Sequence, residues 1–442
     1  MPYQTTAEID AAIASVGTAL EGVRASIIDD LVWTAVFGES DAVKVHARAE
    51  IRRIADALGC PPRSIHDVYM AMGRGEVAGF TVPAVNIRGL TYDVARAMFR
   101  AARPLNVGAM IFEIARTEIG YTEQRPDEYV VCILAAAIKE GHRGPIFVQG
   151  DHVQVNAKKY ADVAQRDAEM ESLRKLIKEE IAAGFYNIDV DTSTLVDLSK
   201  ATLAEQQHLN SLLCAEFTKF IREHEPKGVT VSIGGEIGEV GEKNSTPEEL
   251  VAFMDEYRKF LNGGGEGISK ISVQTGTSHG GVPLADGTVA QVALDFETLG
   301  KLSQVAKQQY GLSGAVQHGA STLPSEAFHR FPELKTSEIH LATGFQNMIY
   351  DHKALPAAFK EKVYAHLRET AAGDRKSTDS EQQFIYKTRK KGFGPFKKEW
   401  WSLPAEVKAP IMADLEKEFA FLYEKLGVVN SLDTVRKYVP TK

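Results

Sequence analysis

Three histidines stand beside or just after glycine, in the runs Gly150-Asp151-His152, Ser278-His279-Gly280 and Gln317-His318-Gly319. Glycine at such positions lets the backbone turn tightly and lets an ion or ligand approach it closely. Imidazoles converging from separate segments suit a tetrahedral or five-coordinate Zn²⁺ that keeps one position open. Cobalt or iron could use the same nitrogen donors. A single loop histidine would be a metal ligand only about one time in ten, given the many roles of that residue. Three at separate strand ends, with acids at others, reverse those odds. The acids have ordinary readings too: Asp151 and Asp191 could cap helices, and Glu236 could be a solvated loop acid. The run from Gly234 to Glu242 is glycine-rich, but it lacks the G-x-G-x-x-G spacing between strand and helix that a dinucleotide loop requires.

Positioning these side chains requires a repeating framework, and one begins at Gly79. Short apolar runs at Phe80–Asn86, Val107–Ile114, Pro145–Gly150, Phe185–Asp191, Val229–Gly234, Ser269–Thr275, Gly314–Gln317 and Glu338–Thr343 alternate with amphipathic stretches. The stretches Tyr92–Ala102, Glu128–Glu140, Ala168–Ala183, Glu205–His224, Pro247–Leu261 and Phe296–Tyr310 have helical periodicity. Eight strand–helix units in roughly 270 residues predict an α/β fold, a (β/α)8 TIM barrel. An open doubly wound sheet is the alternative, because periodicity alone does not close a barrel. Largely apolar strands fit a parallel sheet covered by helices. Residues 1–77 read as an N-terminal helical segment, 78–352 as the catalytic barrel, and 353–442 as a C-terminal helical extension. The extension carries an aromatic and basic patch from Lys390 to Trp401, which would pack on the barrel or form an oligomer interface.

Catalytic groups of such barrels gather at the C-terminal ends of the strands. Those ends carry Asn86, Glu113, Asp151 with His152, Asp191, Glu236, His279, His318 and His340. Every one is polar or ionisable.

Composition narrows the functional classes. The 442 residues carry 51 basic and 59 acidic side chains, a net charge of −8, which argues against a nucleic-acid partner. No apolar run approaches the roughly 20 residues of a membrane span. Met1 to Ser15 lacks the apolar core of a signal peptide. The three cysteines, Cys60, Cys132 and Cys214, are too scattered for a disulfide framework. A cytoplasmic, reduced protein is expected.

The set Gly150-Asp151-His152, Gly235-Glu236-Ile237-Gly238 with Gly241-Glu242, Ser278-His279-Gly280 and His318-Gly319-Ala320-Ser321 resembles the class II, zinc-dependent fructose- and tagatose-bisphosphate aldolases in order and approximate spacing. The resemblance spans about residues 65–350. It implies a lyase of carbohydrate metabolism, as in glycolysis, that cleaves or forms a ketose (bis)phosphate through a metal-stabilised enediolate. It implies one catalytic Zn²⁺ held by His152, His279 and His318. Asp191 and Glu236 would serve a second metal position, or a monovalent cation site, or steer the zinc. Asp151 would shuttle the proton on the oxygen of the cleaved bond, and Glu242 the C–H proton. Gly280, Gly319, Ser321 and Thr343 would bind phosphate, with Asn86, Glu113 and His340 at substrate contacts. A sugar or sugar-phosphate substrate and a homo-oligomer follow by the same analogy.

Departures fall on the substrate side. The family usually has Asn where His340 stands, Asp or Glu where Gly344 stands, and Ser where Ala115 stands. The loop after Glu236 is about one residue short, so Lys243 competes with Glu242 for the catalytic position. An acid at Glu113 would repel a nearby phosphate. A second reading is therefore a zinc-dependent C4-epimerase of an unphosphorylated ketose or ketohexuronate, breaking and remaking the same bond. A third is a non-catalytic subunit on a degenerate barrel, which the retained histidines and Asp151 disfavour.

Overall fold

The computed structural model of the protein describes residues 2–16, 22–238, 243–276, 284 and 294–441. Its centre is a ring of parallel strands: β1 (Val82–Asn86), β2 (Ile111–Ala115), β3 (Ile146–Gln154), β4 (Asn187–Asp191), β5 (Ser232–Glu236), β6 (Lys270–Val273), β7 (Ala315–Gln317) and β8 (Glu338–Leu341). Hydrogen bonding runs β3-β2-β1-β8-β7-β6-β5-β4, and a β3–β4 pairing closes the ring. This is the (β/α)8 barrel, not the open sheet. Each strand falls within a residue or a few of its expected run. The largest differences are β2, which starts four residues later, and β3, which continues to Gln154.

Local sequence explains the outer helices. Thr202 and Thr246 each close a capping box with a glutamate three residues on, starting the helices Leu203–His224 and Pro247–Leu261. Gly141 and Gly184 end the helices Pro126–Glu140 and Val163–Ala183 in the left-handed conformation.

Branched apolar side chains usually fill such a barrel. Here polar residues interrupt the apolar strands, and several meet inside. Lys270 is fully buried, its Nζ 3.0 Å from Asp189 Oδ1 and 2.5 Å from Glu338 Oε1. Gln149 bridges Glu113 and Glu338 through one amide nitrogen, 2.8 Å from each, and accepts from Lys270 at 2.8 Å. The Tyr69 hydroxyl donates to the other Glu338 oxygen. A buried charge of this kind is tolerable only when paired and hydrogen-bonded.

The flanking segments share the barrel's apolar core, which runs from Ile9 through the strands to Val439. Trp401 of the extension lies 5.4 Å from Phe37 and 6.2 Å from Tyr92, ring centre to ring centre, joining N-terminal helix, barrel helix and extension. Phe393, Phe396, Trp400 and Trp401 are all buried, so the aromatic patch packs on its own fold. No helix among the described residues is long and apolar enough to cross a membrane.

Candidate active site

The first anchor is a distortion in β3. Its register with β4 shifts between Gly150 and Val153, and His152 has φ +44°, a rare backbone state for a residue with a side chain. Bulges of this kind re-aim side chains beside active sites. A Cβ at Gly150 would fall 2.7 Å from the Glu180 carboxylate on the helix behind, so a larger residue there would have to displace that side chain. The two residues after Gly150 serve different groups.

Asp151 is almost wholly buried, and both its oxygens are engaged. Asn86 Nδ2, at the end of β1, donates to Oδ2 at 2.9 Å, and His340 Nδ1 lies 3.2 Å from Oδ1. Burial opposes its charge, yet the imidazoles of His152, His340 and His318 hold its carboxyl well below the usual range. It caps no helix.

His152 keeps Nε2 3.7 Å from Asp151 Oδ1 and presents its other nitrogen to a second pair of acids. Its Nδ1 lies 3.2 Å from Asp191 Oδ2 and 3.4 Å from Glu236 Oε2. Its ring centre is 4.2 Å from that of His318. Asp191, ending β4, is fixed by the Ser193 N–H at 3.1 Å, the Ser193 hydroxyl at 2.7 Å and the Gln154 amide. Burial pushes the Glu236 carboxyl up to about 7, Asp191 adds to the rise, and His152 opposes it. His318, just past β7, has Nε2 2.9 Å from the Ser272 hydroxyl.

One donor atom each from His152, Glu236 and His318 falls within 4.8 Å of the others. Two imidazole nitrogens and a carboxylate oxygen fit a first-row divalent cation. Two further groups meet the same distance, Asp151 with His318 and His340, and Glu113 with Glu338 and His340. In both, the two His340 nitrogens already face carboxylates, and Lys270 already supplies the charge at Glu338.

The remaining expected residues divide. Glu113 is fully buried, with Oε1 3.3 Å from His340 Nδ1. His340 sits between Asp151 and Glu338, its Nε2 2.6 Å from Glu338 Oε1. Gly319, Ser321 and Thr343 line the mouth cavity, whose volume is about 490 Å³. Gly344 donates its N–H to Ser321 Oγ at 3.2 Å, and a Cβ there would meet the Ser321 carbonyl oxygen at 2.6 Å, so an acidic side chain has no room. Glu242, His279 and Gly280 lie outside the described residues.

Among the cavity residues that had no part in the expected site, three matter most. Arg88 reaches Glu118 Oε1 at 2.6 Å, Gln346 Oε1 at 2.9 Å and Thr343 Oγ1 at 3.2 Å. Glu118, from a short helix after β2, also accepts from Asn86 at 2.8 Å. Lys390 comes from the C-terminal extension, lines the same cavity and stands 5.7 Å from the Tyr121 ring centre. It makes no side-chain hydrogen bond or ion pair among the described residues, and burial, then Arg88, pull its ammonium pKa down. Polar residues inside otherwise apolar strands were the signal for the buried network. Lys390 stood out in the sequence only as the start of the aromatic and basic patch, with nothing to place it at the cavity.

The family model for class-II fructose-bisphosphate aldolase matches residues 70–391. Among solved structures, fructuronate-tagaturonate epimerase UxaE from Cohnella laeviribosi aligns at 13% identity, covering 90% of each chain with a TM-score of 0.61. A probable tagatose 6 phosphate kinase from Sinorhizobium meliloti 1021 aligns at 16% identity over 81% of this chain and 98% of its own, TM-score 0.53. Fructose-bisphosphate aldolase from Campylobacter jejuni aligns at 17% identity over 82% of this chain and 93% of its own, TM-score 0.47. At these identities the structural likeness bears on the fold. No curated protein sequence matches the chain.

Proposed function

The chain belongs to the class-II fructose-bisphosphate aldolase family, and on that footing we propose that it catalyses reversible aldol cleavage of an anionic ketose with a bound divalent cation, zinc by preference. The observation that carries the reading is that two adjacent side chains, 3.7 Å apart at His152 Nε2 and Asp151 Oδ1, divide their other partners. Asp151 faces Asn86 and His340, while His152 faces Asp191, Glu236 and His318. A proton-transfer group thus stands beside a set of metal donors.

His152 and His318 would hold the cation, with His279 completing the set and Glu236 and Asp191 as further acids. When bound, such a cation acts as a Lewis acid at the ketose carbonyl. Asp151 takes the proton from the hydroxyl at the bond to be cleaved and returns it in the reverse direction. A base must lie within hydrogen-bond reach of that proton, and Asn86 and His340 keep the carboxylate aimed. Glu242 is the proposed group for the C–H proton. Ser321, Thr343 and the backbone at Gly280 and Gly319 would receive an anionic substrate group. Lys390, which makes no ion pair among the described residues, would pair with its charge.

The test is to incubate purified protein and Zn²⁺ with fructose 1,6-bisphosphate and, separately, with unphosphorylated ketoses and ketohexuronates. Triose phosphate release is expected. A C4 epimer formed without trioses would replace cleavage with epimerisation. No turnover of any of them would reject the proposal.

A further inference from the structure

Asp151, the proposed base, is not held by the mouth alone. His340 Nδ1 lies 3.2 Å from Asp151 Oδ1, and its Nε2 lies 2.6 Å from Glu338 Oε1. Both residues are on β8, two positions apart, so their side chains point to the same side of the strand, the barrel interior. Glu338 is fully buried and cannot touch a substrate in the mouth. Lys270 at 2.5 Å, Gln149 at 2.8 Å and the Tyr69 hydroxyl fix it from three other directions. A ring with one nitrogen on an immobile carboxylate has little freedom to rotate, and its other nitrogen is then fixed too.

We propose that Glu338 and His340 form a positioning device, in which Glu338 orients the His340 ring and the ring sets the direction of the Asp151 carboxylate. The proposal relies on the aldol reading for the role of Asp151, but not for its placement. Hydrogen bonds on both His340 nitrogens restrict the ring, with Glu113 Oε1 3.3 Å from the same Nδ1 as a further acid facing it. Outer partners of a reacting group commonly change activity about 10- to 100-fold when removed.

Two substitutions separate the halves of the device. His340→Asn puts an amide N–H near the former Nδ1 and keeps the donor to Asp151, but loses reach to Glu338. His340→Gln reaches the former Nε2 and Glu338, but withdraws the donor from Asp151. Crystal structures of the full-length variants, with steady-state kinetics on fructose 1,6-bisphosphate plus Zn²⁺, give two independent readouts. In His340→Gln the Asp151 carboxylate is expected to leave hydrogen-bond distance of Asn86, and kcat to fall about tenfold or more, with KM changed less than about threefold. His340→Asn should keep the carboxylate within hydrogen-bond distance of Asn86 and lose about as much kcat as Glu338→Gln, less than His340→Gln loses. Glu338→Gln should lower kcat in the wild-type background but add nothing in His340→Asn, where the link is already cut. This arm keeps the test decisive if His340→Gln does not fold. An unmoved Asp151 in His340→Gln, equal kcat losses in the two His340 variants, or a Glu338→Gln effect that persists in His340→Asn would each overturn the device. If the wild type cleaves no ketose yet His340→Gln still displaces Asp151, the device stands and the aldol reading falls.

Discussion

Asn86 and Asp151 meet across the mouth of the barrel, the amide nitrogen 2.9 Å from the carboxylate oxygen. They come from strands that are not neighbours, and the same amide also donates to Glu118 at 2.8 Å. One side chain therefore keeps two buried acids apart and directs one of them.

Replacing that amide should harm the chemistry more than the binding. Asn86→Leu removes both donors at similar volume and leaves two buried acids short of a partner. We expect kcat to fall about tenfold or more with a smaller change in KM, measured by steady-state kinetics on the substrate identified for the wild type. A change confined to KM would place Asn86 at a substrate contact instead.

Lys390 should show the opposite pattern. Its ammonium lines the cavity without an acid partner among the described residues. Lys390→Met keeps much of the side-chain bulk and removes the charge. KM for an anionic substrate should rise about tenfold, as for a lost hydrogen bond to a charged group, with kcat little altered. An unchanged KM would exclude Lys390 from substrate binding.

Glu180 should make stability depend on pH. Both its carboxylate oxygens are buried with no hydrogen-bond partner, and burial pushes its carboxyl up to about 8. The folded protein therefore keeps this proton at pH values where the unfolded chain, with a carboxyl near its usual 4.5, has released it. The folded state binds more protons between those two values, so stability falls as pH rises from about 4.5 towards about 8. The slope approaches about 1.4 kcal/mol per pH unit for one such group. Denaturation of wild type and Glu180→Gln between pH 6 and 8 should show the wild type losing stability more steeply. Parallel curves would contradict this.

Trp401 ties three parts of the chain together, at 5.4 Å from Phe37 and 6.2 Å from Tyr92. Trp401→Ala should cost about 3–5 kcal/mol in denaturant unfolding, as for other buried aromatic truncations. A loss below about 1 kcal/mol would mean that the extension contributes little to the common core.

The barrel was legible because each strand is an apolar run bounded by turn residues and followed by helical periodicity. Asp151 and His152 were legible because they follow an apolar strand run and a glycine, although the backbone distortion falls at His152 itself. What escaped the sequence is contact between residues far apart along it. Lys270 and Glu338 look like two charges in two strands, and only closure of the ring brings them to one height and one interior. Glu113 was expected near the substrate from its strand end alone; that it is fully buried with His340 Nδ1 3.3 Å from Oε1 depends on the distant β8. The arrival of Lys390 at the cavity depends on how the whole extension folds back, which no local pattern encodes.

The most direct test of the central claim is a Co²⁺ titration of metal-free protein followed by visible absorption, for wild type and for His318→Ala. The account predicts saturation at one equivalent with the strong bands of a four- or five-coordinate nitrogen–oxygen site, and their loss in the variant. The same spectrum and stoichiometry in both proteins would show that His152 and His318 do not share a cation, and the proposed chemistry would fall with it.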